Sequence, residues 1–434
     1  MSDVSVSPHG DDFSQAPRAS EETETQIAPL PRISIQAFCE TEEFAGMIEE
    51  AAADRRLTRT VTKTQMGGMT AALEAFRDKP TPNLLVIETS GARELLFRQL
   101  ESLAAFCDSD TKLVVIGNEN DIKLYRDLLK LGVSDYIVKP FGILTFIRQL
   151  SSLYSGEVAQ GLGRTIGVVG AKGGVGASTI AHNLGWAITR SLKTQGIIVD
   201  LDLPFGTTAL DFNQDPPQGV ADAIYSPDRI DETFIDRLMV KCSDRLSILS
   251  APATLDRLYD LPETAIDATI DILRSTTPVI ILDIPHQWMA WTRHVMTAMD
   301  ELVIVTAPDL ANLRNARNLI QTLKTLRRND HPPHVILNTV GLPKRPEISP
   351  VEFAKTLDAG PLIVSPFDAK LFGSATNNGQ MVEEIDPSAQ IVSLLSSLGY
   401  QLMGRTPPSV VKTGPIGAML ARLGLKKTSL AQNA

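Results

Sequence analysis

Short apolar runs recur along the chain, and most are separated by stretches in which apolar residues return at helical spacing. Continuous runs of this kind are typical of strands that are buried on both faces, as in parallel sheets covered by helices. The runs predict strands at Ile33–Phe38, Leu84–Ile87, Leu113–Ile116, Tyr136–Val138, Ile166–Val169, Ile197–Val199, Leu246–Leu249, Val279–Leu282, Leu302–Val305, Val335–Leu337 and Leu362–Val364. Their alternation with helices predicts an α/β fold with two doubly wound parallel-sheet domains.

Composition divides the chain into five segments. Residues 1–31 carry six acidic residues, one basic residue and little apolar surface, which predicts a disordered acidic tail. The strands fall into one block at 32–152 and a larger block at 164–403, and the residues between them, 153–163, contain three glycines and one serine and predict a linker. Residues 404–434 hold five basic residues and no acid, and form a basic C-terminal tail.

Charge and cysteine usage limit the possible functions. The chain has 434 residues, with 41 Lys and Arg against 51 Asp and Glu, which gives a net charge of −10. This balance disfavours a nucleic-acid-binding surface, so no nucleic acid partner is expected. The sequence shows neither an apolar run long enough to span a bilayer nor a secretory signal, and its three cysteines lack metal-ligand spacing. These features predict a cytoplasmic protein with reduced thiols.

The most informative segment runs from Thr165 to Ile180, TIGVVGAKGGVGASTI. It predicts a strand, a glycine-rich loop and the start of a helix, an arrangement in which backbone N–H groups and the helix N-terminus face an anion. Ser178 has the position at which P-loop proteins ligate Mg²⁺ through a hydroxyl. A dinucleotide-binding loop is disfavoured because its glycine spacing is absent. The candidate phosphate-binding residues are Gly173, Gly174, Val175, Gly176, Ala177, Ser178 and Thr179.

The loop departs from the usual P-loop pattern at Ala177, where a lysine normally reaches the β- and γ-phosphates. A charged hydrogen bond contributes about 1.5–3 kcal/mol, so its loss should weaken nucleotide binding. Lys172 lies five residues earlier and cannot easily fold back into its own loop. It could instead reach phosphates across a dimer interface.

This segment resembles the deviant Walker A motif of the MinD/ParA ATPases, in which a lysine at the position of Lys172 enters the partner subunit's site. Further motifs follow in the family's order. Asp200 and Asp202 resemble the switch segment, whose second aspartate positions the attacking water, and Asp200 could instead only shape the loop. Asp283 resembles the Walker B aspartate, which holds Mg²⁺ through water. The resemblance therefore implies a P-loop NTPase domain that binds ATP and Mg²⁺, with Asp202 and Lys172 as catalytic residues.

The same resemblance implies the residues around the base. Asn338 matches an asparagine that reads adenine, and Pro366 and Asp368 match the region that flanks the base. Because less positive charge would meet the transition state with alanine at position 177, hydrolysis is expected to be weak.

The first block resembles a response-regulator receiver domain, a flavodoxin-like fold, without the receiver's chemistry. Cys39 and Glu40 replace the acidic pair, Glu88 replaces the phospho-acceptor aspartate, and Gly117 replaces the Ser/Thr after the fourth strand, whereas Lys139 is retained. Cysteine is a poor Mg²⁺ ligand and Glu88 extends its carboxylate one methylene further. We therefore predict that the domain is not phosphorylated and that Lys139 pairs with Glu88. An interaction or dimerisation role is the alternative that remains.

The combination of a receiver-like block with a MinD-like block that carries Ala177 resembles the CpaE/TadZ family of the Flp/Tad (type IVc) pilus machinery. The resemblance implies a homodimeric scaffold at the cell pole, with the pilus secretion ATPase, other Tad pilus components and a polar landmark protein as partners. The alternative is a ParA-type partitioning ATPase or a MinD-type division-site positioning ATPase.

The C-terminal tail carries a short apolar stripe, formed by Ile416, Met419, Leu420 and Leu423 next to basic residues. MinD relatives use such a helix to contact anionic membranes, which would place the protein peripherally at the inner membrane. Gly417 and Gly424 weaken the helix, and a frayed tail or a packed extension is the other interpretation.

Overall fold

The computed structural model describes residues 27–154, 162–252, 254–255, 258–357 and 362–407, which form two domains, each built around one sheet. Most of the predicted N-terminal tail, most of the linker and the apolar stripe of the C-terminal tail lie outside the described residues. None of the described helices combines the length and the apolar character that crossing a membrane requires.

The first domain is a five-stranded parallel sheet with helices on both faces. Its elements in chain order are β1 (Ser34–Cys39), α1 (Glu42–Ala52), β2 (Val61–Met66), α2 (Gly68–Ala75), β3 (Leu84–Glu88), α3 (Arg93–Ala104), β4 (Lys112–Gly117), α4 (Ile122–Lys130), β5 (Asp135–Val138) and α5 (Ile143–Tyr154). The strand order is β2-β1-β3-β4-β5, and every pairing is parallel. The four strands predicted for this domain are confirmed within one or two residues.

Two features of the first domain differ from the sequence prediction. Strand β2 was missed because its sequence, VTKTQM, is polar and four of its six residues are exposed at the sheet edge. The predicted tail at 1–31 is too long, since Ile27 and Leu30 are buried in the domain core and the Leu30 N–H donates to the Arg56 carbonyl at 2.8 Å. Two apolar side chains were enough to fix this short segment.

The second domain is an eight-stranded sheet with helices on both faces. Its elements are β6 (Arg164–Gly170), α6 (Ala177–Ser191), β7 (Gly196–Asp200), α7 (Thr208–Asp211), α8 (Val220–Ile224), α9 (Glu232–Leu238), β8 (Val240–Lys241), β9 (Leu246–Leu249), α10 (Asp267–Thr276), β10 (Val279–Ile284), α11 (Ala290–Ala298), β11 (Glu301–Thr306), α12 (Leu310–Leu326), β12 (His334–Val340), α13 (Pro350–Leu357), β13 (Leu362–Pro366), α14 (Ala369–Asn378), α15 (Val382–Ile385) and α16 (Gln390–Leu402). The strand order is β13-β12-β11-β6-β10-β7-β9-β8.

All seven strands predicted for the second domain are confirmed, and so is the doubly wound α/β class. The expectation of a wholly parallel sheet was wrong at one edge, because the two-residue strand β8 pairs antiparallel with β9 and makes the sheet mixed. A strand this short leaves no apolar run in the sequence. Helix α6 is buried from Ile180 to Thr189 because it packs between the sheet and α16.

Buried ion pairs join the two domains. Arg55 of the first domain donates from Nη1 to Asp300 Oδ1 at 3.0 Å and from Nε to Asp330 Oδ2 at 2.8 Å. Arg56 donates from Nη2 to the other oxygen of Asp330 at 2.6 Å, and all four side chains are at most 8% exposed. Burial opposes ionisation of Asp300, but the positive charges of Arg274 and Arg55 outweigh it and hold the pKa of that carboxyl well below its usual range. The junction is thus a largely buried network of ion pairs.

Arg55→Ala tests this junction. The substitution leaves Asp300 and Asp330 buried with less positive charge, and breaking a buried pair costs about 3–5 kcal/mol. Because both aspartates keep other partners, we expect a loss near 3 kcal/mol in the free energy of unfolding, measured by urea denaturation. Arg93→Ala is the control, since its pair with Asp127 at 2.9 Å is 29% and 33% exposed and should change stability by less than about 1 kcal/mol. Equal effects of the two variants would contradict the buried-contact interpretation.

Candidate functional site

The glycine-rich loop connects the central strand β6 to the buried helix α6 at the carboxyl edge of the larger sheet. Gly174 and Gly176 have φ of +79° and +84°, a left-handed conformation that residues with a Cβ rarely adopt. At Gly176 a Cβ would also lie 2.8 Å from Nδ2 of Asn338. The turn therefore needs glycine at both positions, and it directs the chain into the first turn of α6.

Side chains from three neighbouring segments fix the loop. Nδ2 of Asn338 donates to the Val175 carbonyl at 2.9 Å, and Nδ2 of Asn315 donates to the Ala171 carbonyl at 2.9 Å. Nδ1 of His286 lies 2.9 Å from the Gly170 carbonyl. These bonds occupy backbone acceptors of the loop, so the loop is held in one shape by the surrounding fold.

Two cavities adjoin along the loop. The larger, about 330 Å³, is lined by all seven loop residues from Gly173 to Thr179 and by Lys172, Asp202 and Asp283. The smaller, about 170 Å³, is lined by Asn338, Pro366 and Asp368 and shares Gly174, Val175, Gly176 and Thr179 with the larger one. The structure thus brings together every residue that the sequence analysis assigned to nucleotide or metal.

Two carboxylates and a hydroxyl converge in the larger cavity. Asp283 is the last residue but one of β10 and is 3% exposed, and its Oδ2 accepts no hydrogen bond from the described residues. Burial raises the pKa of Asp283, while a hydrogen bond from Ser178 opposes the shift. One oxygen of Asp202 is also buried without a partner in the described chain, and burial raises its pKa too. Unpaired carboxylate oxygens beside a hydroxyl are hard ligands of the kind that Mg²⁺ prefers, so these residues fit the ion.

Asp200 helps to fix the conformation of the switch segment beside the cavity. It is fully buried at the end of β7, next to Asp283 in the sheet register. Its oxygens accept from the Asp202 N–H at 3.1 Å and from the Thr208 hydroxyl at 2.8 Å. Of the two roles that the sequence left open for Asp200, the structure favours shaping the switch segment.

The sequence did not lead us to His182, which lies beneath the loop. His182 is fully buried, with Nδ1 2.7 Å from Asp211 Oδ2 and Nε2 2.8 Å from the Thr208 hydroxyl. Because that hydroxyl donates its proton to Asp200, it must accept one from Nε2, and Nδ1 must donate to a carboxylate. With Asp200 ionised, this arrangement is the one that an imidazolium makes, with both ring nitrogens donating.

The charge state of His182 has a clear physical cause. Burial opposes protonation of His182. The hydrogen bond to Asp211 and the charge of Asp283 outweigh it and raise the pKa of His182. Oδ2 of Asp283 lies 3.6 Å from Nε2 of His182. One cation thus compensates carboxylates from the switch segment and from β10. The spacing could have revealed it, since His182 follows Ser178 by four residues on α6 and shares its helix face.

Lys172 and Ala177 differ in exposure. Lys172 is exposed at the mouth of the larger cavity, and Ala177 is the first residue of α6. Burial would raise the pKa of Asp309, but hydrogen bonds from Asn312 and the nearby charge of Lys172 lower it. The charge of Lys172 is therefore close to Asp309, the residue that precedes α12.

The receiver-like site is closed by its own side chains. Glu88 is buried and accepts from the N–H groups of Glu40 and Thr41 at 2.6 and 2.9 Å and from the Thr41 hydroxyl at 2.7 Å. Lys139 forms an ion pair with the same carboxylate, which confirms the predicted pairing. Burial opposes ionisation of Glu88, but Lys139 and Thr41 outweigh it and lower its pKa. Burial also raises the pKa of Cys39 to about 11, so Cys39 is a neutral thiol.

Comparisons with known proteins agree with this geometry. Residues 163–335 match the model of a family described as an AAA domain. The septum site-determining protein MinD of Synechocystis sp. is 30% identical over 166 residues, which cover 38% of this chain and 60% of that protein. A ParA family ATPase from Chlorobium tepidum TLS has a TM-score of 0.50 at 28% identity, covering 54% of this chain and 98% of that one. A pilus assembly protein CpaE from Caulobacter crescentus CB15 is 45% identical and covers 30% of this chain and 100% of that one, with a TM-score of 0.29.

The loop, the sheet and these similarities define the larger domain as a P-loop domain of the MinD/ParA type. The chain matches 60% of the length of the Synechocystis MinD, so the activity of that whole protein does not transfer directly.

His182→Gln tests the buried cation. Because glutamine carries no charge, the carboxylates around position 182 would repel each other without compensation, and we expect a loss of about 3 kcal/mol in the free energy of unfolding. Added Mg²⁺ should restore part of it in the variant. His294→Gln is the matched control, since its pair with Asp267 is 22% and 27% exposed and should cost less than about 1 kcal/mol. A His182→Gln protein as stable as the control variant would show that the histidine is not charged.

The closed receiver site predicts that Glu88 is not phosphorylated. Because every oxygen of Glu88 is engaged, incubation with acetyl phosphate and Mg²⁺ should leave the intact mass unchanged. Glu88→Ala serves as the control for labelling elsewhere. A mass increase of one phosphoryl group that disappears in Glu88→Ala would refute the prediction.

Proposed function

We propose that the chain is an ATP-binding, slowly hydrolysing homodimeric scaffold that localises and helps to assemble the Flp/Tad pilus machinery at the cell pole. The observation that carries this proposal is the P-loop cavity, in which Ser178, Asp202 and Asp283 converge although Ala177 replaces the usual lysine. A phosphate-wrapping loop with metal-binding oxygens is arranged to hold a nucleotide, and the missing charge should slow its hydrolysis.

Each residue has a role in this proposal. The loop N–H groups and the N-terminus of α6 bind the phosphates, and the Ser178 hydroxyl and Asp283, through water, hold Mg²⁺. Asp202 lies in the same cavity and orients the attacking water. In the smaller cavity Asn338, Pro366 and Asp368 surround the base. His182 positions Asp283 and the switch segment without touching the nucleotide.

The dimer is supported by the surface around Lys172. That lysine is exposed beside the cavity, and three large apolar side chains near the loop are exposed too, with Trp288 at 53%, Met289 at 48% and Leu310 at 74%. Trp288 lines a further cavity of about 480 Å³ with Gly170 and other residues. A face that combines exposed apolar side chains with the exposed Lys172 suits a second copy of the chain. Lys172 would then reach into the site of that second copy.

The pilus role follows from the combination of domains. A closed receiver-like domain fused to a MinD/ParA-type domain with alanine in the P-loop resembles the CpaE/TadZ family, and the Caulobacter crescentus CpaE is a pilus assembly protein. We place the protein in the cytoplasm, with a polar landmark protein and the pilus secretion ATPase as partners and with membrane contact through the basic tail. A MinD-type positioning role is the second candidate, favoured by the similarity to MinD.

Nucleotide-dependent dimerisation tests the proposal. With ATP and Mg²⁺ the wild type should dimerise, as measured by sedimentation velocity. Lys172→Ala should weaken the dimer by about ten- to a hundredfold, because a charged hydrogen bond contributes about 1.5–3 kcal/mol. Asp283→Ala should weaken it through loss of Mg²⁺, whereas Lys241→Ala, at an exposed lysine on β8, should have no effect.

Two outcomes would overturn the proposal. One is a lack of adenine-nucleotide binding at millimolar concentration with Mg²⁺. The other is a dimer that Lys172→Ala and Asp283→Ala leave unchanged. In cells, a deletion strain with pili but misplaced septa would favour the positioning role over pilus assembly.

A further inference from the structure

Three metal-ligating side chains meet at the amino edge of the larger sheet, opposite the P-loop. Glu301 is the first residue of β11 and His334 the first of β12, and these strands are neighbours in the sheet. His331 lies in the turn before β12, in the sequence His331-Pro-Pro-His334. Because the carboxyl ends of parallel strands hold the nucleotide cavity, this cluster is separate from that site.

The donor atoms of the cluster face one another. Oε2 of Glu301 lies 3.4 Å from Nε2 of His331 and 3.8 Å from Nε2 of His334, and the three donors are all within 4.8 Å of one another. The Glu301 side chain is 2% exposed, and its Oε2 faces the imidazoles of both histidines. Arg164 binds the other oxygen, Oε1. A buried carboxylate oxygen is thus directed at two imidazole nitrogens.

The 3.4 Å distance matches a tetrahedral metal ion, and the 3.8 Å distance is a few tenths of an ångström longer. Zinc binds histidine nitrogen and carboxylate oxygen at about 2.0–2.2 Å, which separates neighbouring donors by about 3.3–3.5 Å. Two imidazoles and one carboxylate are a ligand set that Zn²⁺ and neighbouring first-row metals bind, whereas Mg²⁺ and Ca²⁺ prefer all-oxygen sets. The two prolines between the histidines fix φ at both intervening positions, so the spacing of the ligands is stiff. We propose that Glu301, His331 and His334 form a divalent transition-metal site suited to Zn²⁺, with a fourth position left for water.

The site adjoins the contact between the two domains. Asp330, the residue before His331, accepts from Arg55 and Arg56 of the receiver-like domain. Arg164 starts β6 and joins Glu301 to the same edge of the sheet. A metal ion bound to His331 would fix the turn that carries Asp330, so its effect would be to stabilise the junction of the domains.

Metal binding by the full chain tests the proposal. Metal-free protein is titrated with Co²⁺, followed by its visible absorption bands, and with Zn²⁺, followed by calorimetry, both with excess Mg²⁺ to occupy the nucleotide cavity. We expect one equivalent to bind, with absorption typical of tetrahedral Co²⁺, and the melting temperature to rise by a few degrees with Zn²⁺. His331→Gln and His334→Gln should each lower the affinity at least about tenfold and abolish the thermal shift.

The controls separate this site from others. His294→Gln removes a half-buried histidine that pairs with Asp267 elsewhere, and it should bind metal as the wild type does. Circular dichroism checks that the variants fold, and Glu301 itself is left unchanged because Arg164 depends on it. Absence of saturable Co²⁺ and Zn²⁺ binding, or equal affinity in His334→Gln and wild type, would overturn the metal site. Neither result bears on ATP binding, so the two proposals fail independently.

Discussion

The P-loop cavity depends on the compensation of buried negative charge by one histidine. Asp200 and Asp283 are paired in adjacent strands and are withdrawn from water, and Asp211 is bound to the same histidine. Uncompensated carboxylates in this position would cost several kcal/mol each. His182 meets all three from the helix that the P-loop opens, so the loop, the switch segment and β10 are held as one electrostatic unit. A shift of any one of them changes the environment of the others.

The two edges of the larger sheet have different electrostatic designs. At the carboxyl edge Asp202 and Asp283 each keep one oxygen without a hydrogen bond from the described residues, as a site for a cation requires. At the amino edge Asp300 and Asp330 are paired with arginines, which fixes the first domain in place. Aspartate therefore offers oxygens for a cation at the carboxyl edge and forms fixed ion pairs with arginine at the amino edge.

The sequence predicted those parts of the molecule that depend on local pattern. Long apolar runs identified eleven strands, and the glycine spacing located the loop, whereas the polar edge strand β2 and the two-residue β8 left no such pattern. The domain junction could not be predicted, because Arg55 pairs with residues 245 and 275 positions away. A single charged residue in a sequence does not indicate which residue it will pair with. His182 could have been predicted, because its helical spacing from Ser178 places it under the loop.

The Glu88 site of the first domain and the P-loop cavity of the second differ in what they leave open to a ligand. In the receiver-like domain Lys139 and Thr41 occupy the Glu88 carboxylate, so no acceptor remains for an incoming group. In the P-loop domain a charge is missing but the cavity and its oxygens remain open. His182 and Thr208 connect that loop directly to α7, so a ligand bound at the P-loop reaches the switch segment through these two side chains. At the opposite edge of the sheet, buried ion pairs hold the receiver-like domain to the P-loop domain.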